Sequence, residues 1–224
     1  MRHNIFWLVV FTALLLSSRS SMADDGPNLI LNPGFEETPS APTTYGLFTA
    51  PDSLGDHCRL TISTDTFHSG KQSAMLQADD FARFSLGPNK AYPVVAGDVY
   101  RVGLWVKAGA DFQMQPGSPG LVIRMNETTS SSPTQAGFTF IYLNNTVAEA
   151  APPTYSPDPV TAVVPTDWTH MEAVVKIPAG VDRLVPTLFY WKAKGSLYVD
   201  DFSLQKVDPA TPLTSTAEGK TASP

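Results

Sequence analysis

Between Asp24 and Gln205 no segment carries the spacing of a long amphipathic helix; the apolar residues come in short alternating runs broken by Gly, Pro, Asn and Asp. The clearest run is 99–107, which places Tyr100, Val102, Leu104 and Val106 on one face of a strand and Arg101, Trp105 and Lys107 on the other. Residues 121–126 and 138–143 read as further strands. So does 169–177, with Met171, Ala173, Val175 and Ile177 on a common face. Residues 184–192 and 196–204 read as a hairpin closed around Ala193-Lys194-Gly195, and shorter pieces sit at 60–63 and 73–76. Many short strands with frequent turn residues are the pattern of an all-β sandwich or barrel.

Residues 1–23 have the layout of a secretory signal peptide: Arg2 and His3, an apolar run from Ile5 to Leu16, then Ser21-Met22-Ala23 before a cut at Asp24. That run is too short for a bilayer span and no other segment is long and apolar enough, so a secreted chain without a membrane span is expected after cleavage. One domain is expected over 24–206. Residues 207–224, rich in Asp, Pro, Ala, Thr and Ser, read as a disordered tail. Prolines at 152, 153, 157, 159 and 165 turn 144–166 into a long surface loop.

The chain has 15 Lys and Arg against 21 Asp and Glu, a net charge of −6, and the leader removes two of the basic residues. An acidic domain is a poor nucleic-acid binder. The same balance suits neutral glycans and cations, and disfavours anionic polysaccharides unless a basic patch exists locally. A single cysteine, Cys58, rules out an internal disulfide, and it reads as a small buried hydrophobe.

Two apolar runs near the ends carry carboxylates that a buried strand normally avoids. One is 28–36, Asn-Leu-Ile-Leu-Asn-Pro-Gly-Phe-Glu; the other is 197–204, Leu-Tyr-Val-Asp-Asp-Phe-Ser-Leu. Together they suggest first and last strands lying side by side and sharing a cation. Alternation points Asp200 inward with Tyr198 and Phe202, whereas Asp201 faces out.

The order of features also includes His68-Ser69-Gly70-Lys71-Gln72-Ser73, then Ala96-Gly97-Asp98-Val99-Tyr100 feeding the Trp105 strand. Asp167-Trp168 opens a strand ending at Pro178-Ala179-Gly180, and Val199 to Leu204 closes the domain. This order resembles the jelly-roll carbohydrate-binding modules of the galactose-binding-like superfamily, particularly those appended to xylanases and glucanases. The resemblance implies a β-sandwich jelly roll of two antiparallel sheets, galactose-binding-domain-like. It implies a structural calcium held by the Gly34 carbonyl, the Glu36 and Asp200 carboxylates, and backbone carbonyls near Ser69 and Lys71. The alternative is that Glu36 and Asp200 satisfy turn backbone without metal.

Sugar-binding surfaces in such modules present aromatic rings to pyranose faces, with polar groups reading hydroxyls. Trp105, Trp191 and Tyr142, with Arg101 and Arg124, are the candidate ligand-binding residues; core packing is the competing role for each ring. Tyr190, Phe140 and the loop residues Tyr45, Phe48, Phe112 and Tyr155 are further aromatic candidates. No His-Glu-x-x-His, Gly-x-Ser-x-Gly, phosphate-binding glycine loop or Cys-x-x-Cys is present, so no catalytic residue is nominated. The expectation is a secreted, non-catalytic module whose partner is a polysaccharide or oligosaccharide. The alternatives are an adhesive or structural sandwich binding a protein or cell surface, and a jelly-roll lyase or glycosidase.

Overall fold

A computed structural model describes residues 25–37, 45–49, 58–118, 120–130, 132–150 and 163–215. The expected leader, most of the proline-dense loop with Tyr155, the histidine at 57 and residues 216–224 lie outside the described residues, as do the side chains of Tyr45 and Phe48.

The spine is one long strand. In chain order the strands are β1 (Tyr45–Thr49), β2 (Cys58–Ser63), β3 (Ser73–Pro88), β4 (Tyr92–Pro93), β5 (Val99–Ala108), β6 (Gln113–Met114), β7 (Gly120–Thr129), β8 (Ser132–Tyr142), β9 (Val147–Ala150), β10 (Thr169–Lys176) and β11 (Arg183–Val207). All pairings among them are antiparallel. The described residues include no helix, and none therefore long and apolar enough to cross a membrane.

β3 and β11 serve both layers of the sandwich. The first half of β3 pairs with β2 and with the second half of β11, which continues to β5 and on to β10; this is the first sheet. The second half of β3 pairs with β1 and with the first half of β11, which continues to β7, β8 and β9; this is the second sheet. The hairpin expected at 193–195 is therefore corrected: β11 runs through that point without reversing. The register against β3 slips between Tyr190 and Ala193 and again between Ala193 and Gly195. Lys192 (φ 49) and Gly195 (φ 86) supply the left-handed backbone of these bulges. A Cβ on Gly195 would lie 2.3 Å from the Asp111 carbonyl oxygen, so the bend needs glycine for space as well as for torsion.

Alternation builds the core. Leu76, Leu104, Val199, Phe202 and Leu204 from the first sheet meet Leu86, Ile123, Met125, Ile141 and Leu188 from the second in one cluster, all at most 1 % exposed. Burying a side chain of this kind contributes roughly 1.5–3 kcal/mol against exposure, which offsets the entropy of ordering so many loops. Cys58 is half-buried and packs against this cluster.

The opening motif lies beside β11 without forming a regular strand. Gly26 N–H donates to the Lys206 carbonyl and Leu29 N–H to the Leu204 carbonyl. Between them the Asn28 side chain takes the place of backbone: its amide donates to the Phe202 carbonyl, and its Oδ1 accepts from Leu204 N–H. Residues 207–215, within the expected tail, are hydrogen-bonded to the sandwich. Thr211 N–H turns back on the Asp208 carbonyl, Thr214 N–H reaches the Val174 carbonyl on the free edge of β10, and the Ser215 carbonyl accepts from Val147 N–H. Hydrogen bonds to two exposed edges are what hold it.

Candidate functional site

The turn at 66–72 gathers the two end motifs. Asp200, fully buried, accepts the N–H groups of His68 (2.8 Å) and Ser69 (3.2 Å) on Oδ2, and that of Asp201 (2.8 Å) on Oδ1. Glu36, at the surface, accepts the N–H groups of Lys71 (2.8 Å) and Gln72 (3.0 Å) on Oε1. The turn thus presents the N–H groups of His68, Ser69, Lys71 and Gln72 to the two carboxylates. Burial, and secondarily the neighbouring Asp201 charge, raises the Asp200 carboxyl above its ordinary value, while the amide donors pull the other way.

Asp201 does more than face solvent. Its φ of 48 bulges the strand, and its carboxylate holds His68 Nδ1 and Ser69 Oγ, each at 2.7 Å. Gly34 lies among these acids: a Cβ there would meet Asp201 Oδ1 at 3.5 Å, Asp200 Oδ1 at 3.6 Å and Glu36 Cγ at 3.7 Å. Hard carboxylate oxygens around one glycine suit calcium in charge and donor type. Among the described residues, however, no group of three or more His, Cys, Asp or Glu side chains is arranged to hold a metal ion.

The five candidate ligand residues fall on two different sheets. Arg101 and Trp105 are on β5, in the first. Trp105 pairs across the sheet with His170 on β10 and Asp200 on β11. His68 stacks on its indole at 3.8 Å and 14°, and His170 stacks at 4.8 Å and 17°. Trp168 meets His68 edge-on at 5.7 Å. The Trp105 ring is therefore engaged by two imidazoles. Arg101 is engaged as well, bonded to Asp25 and 3.8 Å from Glu172.

Tyr142, Arg124 and Trp191 come together on the outer face of the second sheet. There Val122, Phe138, Phe140, Tyr142 and Phe189 form a separate apolar cluster, with Ala148 and the part-exposed Trp191 packed on it. Tyr190, the neighbour of Trp191, points the other way into the core. Arg124 lies over Phe189 (4.5 Å) and Phe138 (5.2 Å), and Arg83 lies over Trp191 (5.2 Å). Asn126 spans neighbouring strands, donating to the Val185 carbonyl and Thr187 Oγ1. Sequence reasoning named Phe140 and Arg124 but missed Phe138, Phe189 and Arg83. The signal was available in the alternation of Phe138, Phe140 and Tyr142, which share one strand face.

No family model matches the chain, and no curated protein matches it. Solved structures do. The enzymatically active domain of tailspike protein 4 from bacteriophage CBA120 superposes with a TM-score of 0.53 at 11 % identity, over 80 % of this chain and 21 % of that one. The N-terminal part of xylanase 10B from Clostridium thermocellum, a CBM22-1 and GH10 pair complexed with xylohexaose, gives 0.50 at 13 % identity, over 87 % of this chain and 30 % of that one. A CBM61 bound to β-1,4-galactotriose gives 0.45 at 18 % identity, over 80 % and 97 %. The chain thus spans less than a third of the first two proteins. At these identities the likeness defines the fold: an all-β jelly-roll sandwich of the kind used by carbohydrate-binding modules.

Proposed function

We propose that the protein is a secreted, non-catalytic carbohydrate-binding module that recognises a polysaccharide on the outer face of its second sheet. The observation that carries the reading is that face itself, where the part-exposed Trp191 adjoins a carpet of aromatic rings with two guanidinium groups and the Asn126 amide among them. An indole offers a flat apolar surface to a sugar ring, and the polar groups beside it read hydroxyls. The xylanase chain of which this fold matches 30 % carries a CBM22-1 module and is complexed with xylohexaose, which supports the same class of ligand.

The non-catalytic part of the reading is supported by how the acidic side chains are used. Asp200 and Glu36 hold turn amides, Asp182 holds Ser130, and Glu172 faces Arg101. Calcium is proposed as a structural ion held by Glu36 and Asp200 with backbone oxygens near Gly34. It would supply positive charge among three carboxylates and no chemistry.

Affinity electrophoresis in gels containing β-glucan, xylan, mannan, galactan or pectic polymers tests the function. Retardation in at least one gel, lost in Trp191→Ala with the melting temperature preserved, is the expected result. Mobility unchanged in every gel overturns the reading in favour of a protein-binding or adhesive sandwich, and release of reducing ends during incubation overturns its non-catalytic part.

A further inference from the structure

The outer face of the second sheet carries a concentration of positive charge that the acidic composition conceals. Across the strands, Arg124 of β7 lies between Thr187 of β11 and Phe140 of β8. Its guanidinium rests over Phe189 and Phe138, and Arg83 rests over Trp191. The Arg124 Nε is shut off from solvent with no hydrogen-bond partner. Burial and the nearby Arg83 charge together lower Arg124 to about 10, and among the described residues no carboxylate raises it. A chain of net charge −6 has no shortage of acids, yet among the described residues none is paired with Arg124.

What a ligand could reach here also differs from an aromatic platform. Val122, Phe138, Phe140, Tyr142 and Phe189 are each at most 3 % exposed, whereas Arg83, Arg124, Asn126 and Trp191 are partly open. The accessible chemistry is one indole and two guanidinium groups, the Asn126 amide N–H groups being taken by Val185 and Thr187. Stacking on rings orients a guanidinium so that its N–H edge can meet a planar anion. A carboxylate supplies the charge that relieves both the burial and the mutual repulsion of the arginines, which a neutral hydroxyl cannot do.

We propose that this face binds an acidic glycan, with a uronate carboxylate held by Arg124 beside Arg83 and a sugar ring against Trp191. The proposal rests on the carbohydrate-binding reading above and narrows its ligand to the uronate-bearing class.

The test measures binding of the purified chain to polygalacturonate, alginate and glucuronoxylan, to their carboxyl-reduced forms, and to neutral galactan and xylan, at low and high salt. The expected result is retention on at least one uronate polymer, weakened about tenfold or more by carboxyl reduction, by roughly 0.5 M salt and by Arg124→Gln. Arg59→Gln, which removes a surface cation paired with Asp79, should leave binding unchanged. If Arg124→Gln does not fold, Arg83→Gln is read in its place. Binding that survives carboxyl reduction or Arg124→Gln overturns the uronate assignment and leaves the carbohydrate reading standing. Tighter binding to a sulfated polymer than to any uronate overturns it too. Retention on no glycan, neutral or acidic, overturns the underlying reading itself.

Discussion

The Asp200 carboxylate accepts the backbone N–H of His68 at 2.8 Å, so the last strand of the sandwich grips a turn far upstream in the chain. The same carboxylate also takes the amides of Ser69 and Asp201. Asp200→Ala leaves all three part-buried donors without their acceptor, and a hydrogen bond to a charged group contributes about 1.5–3 kcal/mol. A loss of at least about 3 kcal/mol is expected in denaturant unfolding. Unchanged stability would show that water replaces the carboxylate without penalty.

Without bound calcium, the pH dependence of that group runs opposite to an ordinary paired carboxylate. Burial raises the native Asp200 above the unfolded value, so the folded state binds this proton more tightly than the unfolded chain does. Its contribution to stability is fully present below the ordinary aspartate range and is lost as pH rises through the raised native value. Thermal melts of wild type and Asp200→Asn across the acid range, both with chelator present, should differ in slope, with the variant lacking this fall. Parallel curves would remove Asp200 as the cause.

Calcium held by Glu36 and Asp200 would supply the counter-charge that ionised Asp200 needs at neutral pH. A chelator should then lower the melting temperature, added calcium should restore it, and Asp200→Asn should abolish both effects. No change on adding chelator would mean that the turn amides alone satisfy these carboxylates.

Gly70 has φ 65, and a Cβ there would come 2.1 Å from Glu36 Oε1. Gly70→Ala is expected to cost more than the roughly 1 kcal/mol of left-handed strain alone, because it also expels the carboxylate that caps Lys71 and Gln72. Pairing it with Glu36→Ala checks this: the double variant should be less destabilised than the sum of the singles, and strict additivity would count against the contact.

Burial lowers His170 below the ordinary histidine range, and the charge of Glu172 only partly counters it. The native state therefore binds the His170 proton more weakly than the unfolded chain, and stability is lost as pH falls from the unfolded value through the native one. Proton NMR titration should find His170 titrating lower than a free histidine. Gly103→Ala, whose Cβ would meet the His170 Nε2 at 3.0 Å and the Met171 carbonyl oxygen at 2.8 Å, should shift the ring off Trp105 and move that titration toward the ordinary value. An unaltered titration would show that the stack does not set it.

Much of this architecture was legible because period-two alternation reports directly on which side of a strand is buried. Val102, Leu104 and Val106 fell into the core. The inward place expected for Tyr198 and Asp200 is taken instead by Leu197 and Val199; Asp200 pairs with Trp105, so it shares the opposite face of the sheet and is buried beneath the turn that holds His68 and Ser69. The spine strand was harder to read. Ala193-Lys194-Gly195 has the residues of a reversal, and only pairing of both flanks with β3 distinguishes a double bulge from a hairpin. The site was harder still, because His68, Trp105 and His170 lie on three separate segments and no spacing announces that imidazoles will stack on the indole. Arg83 and Arg124 were hidden in the same way: they meet across strands brought together by β11, inside a chain whose total charge points to the opposite sign.

β11 carries Trp191 on one sheet and Asp200 on the other without a break between them. With β3 passing through both layers as well, the two layers share continuous tension members and cannot separate by the melting of a connecting loop. Unfolding of either layer must tear the ladder of the other, so hydrogen exchange in β5 and in β7 should report one common opening event rather than two.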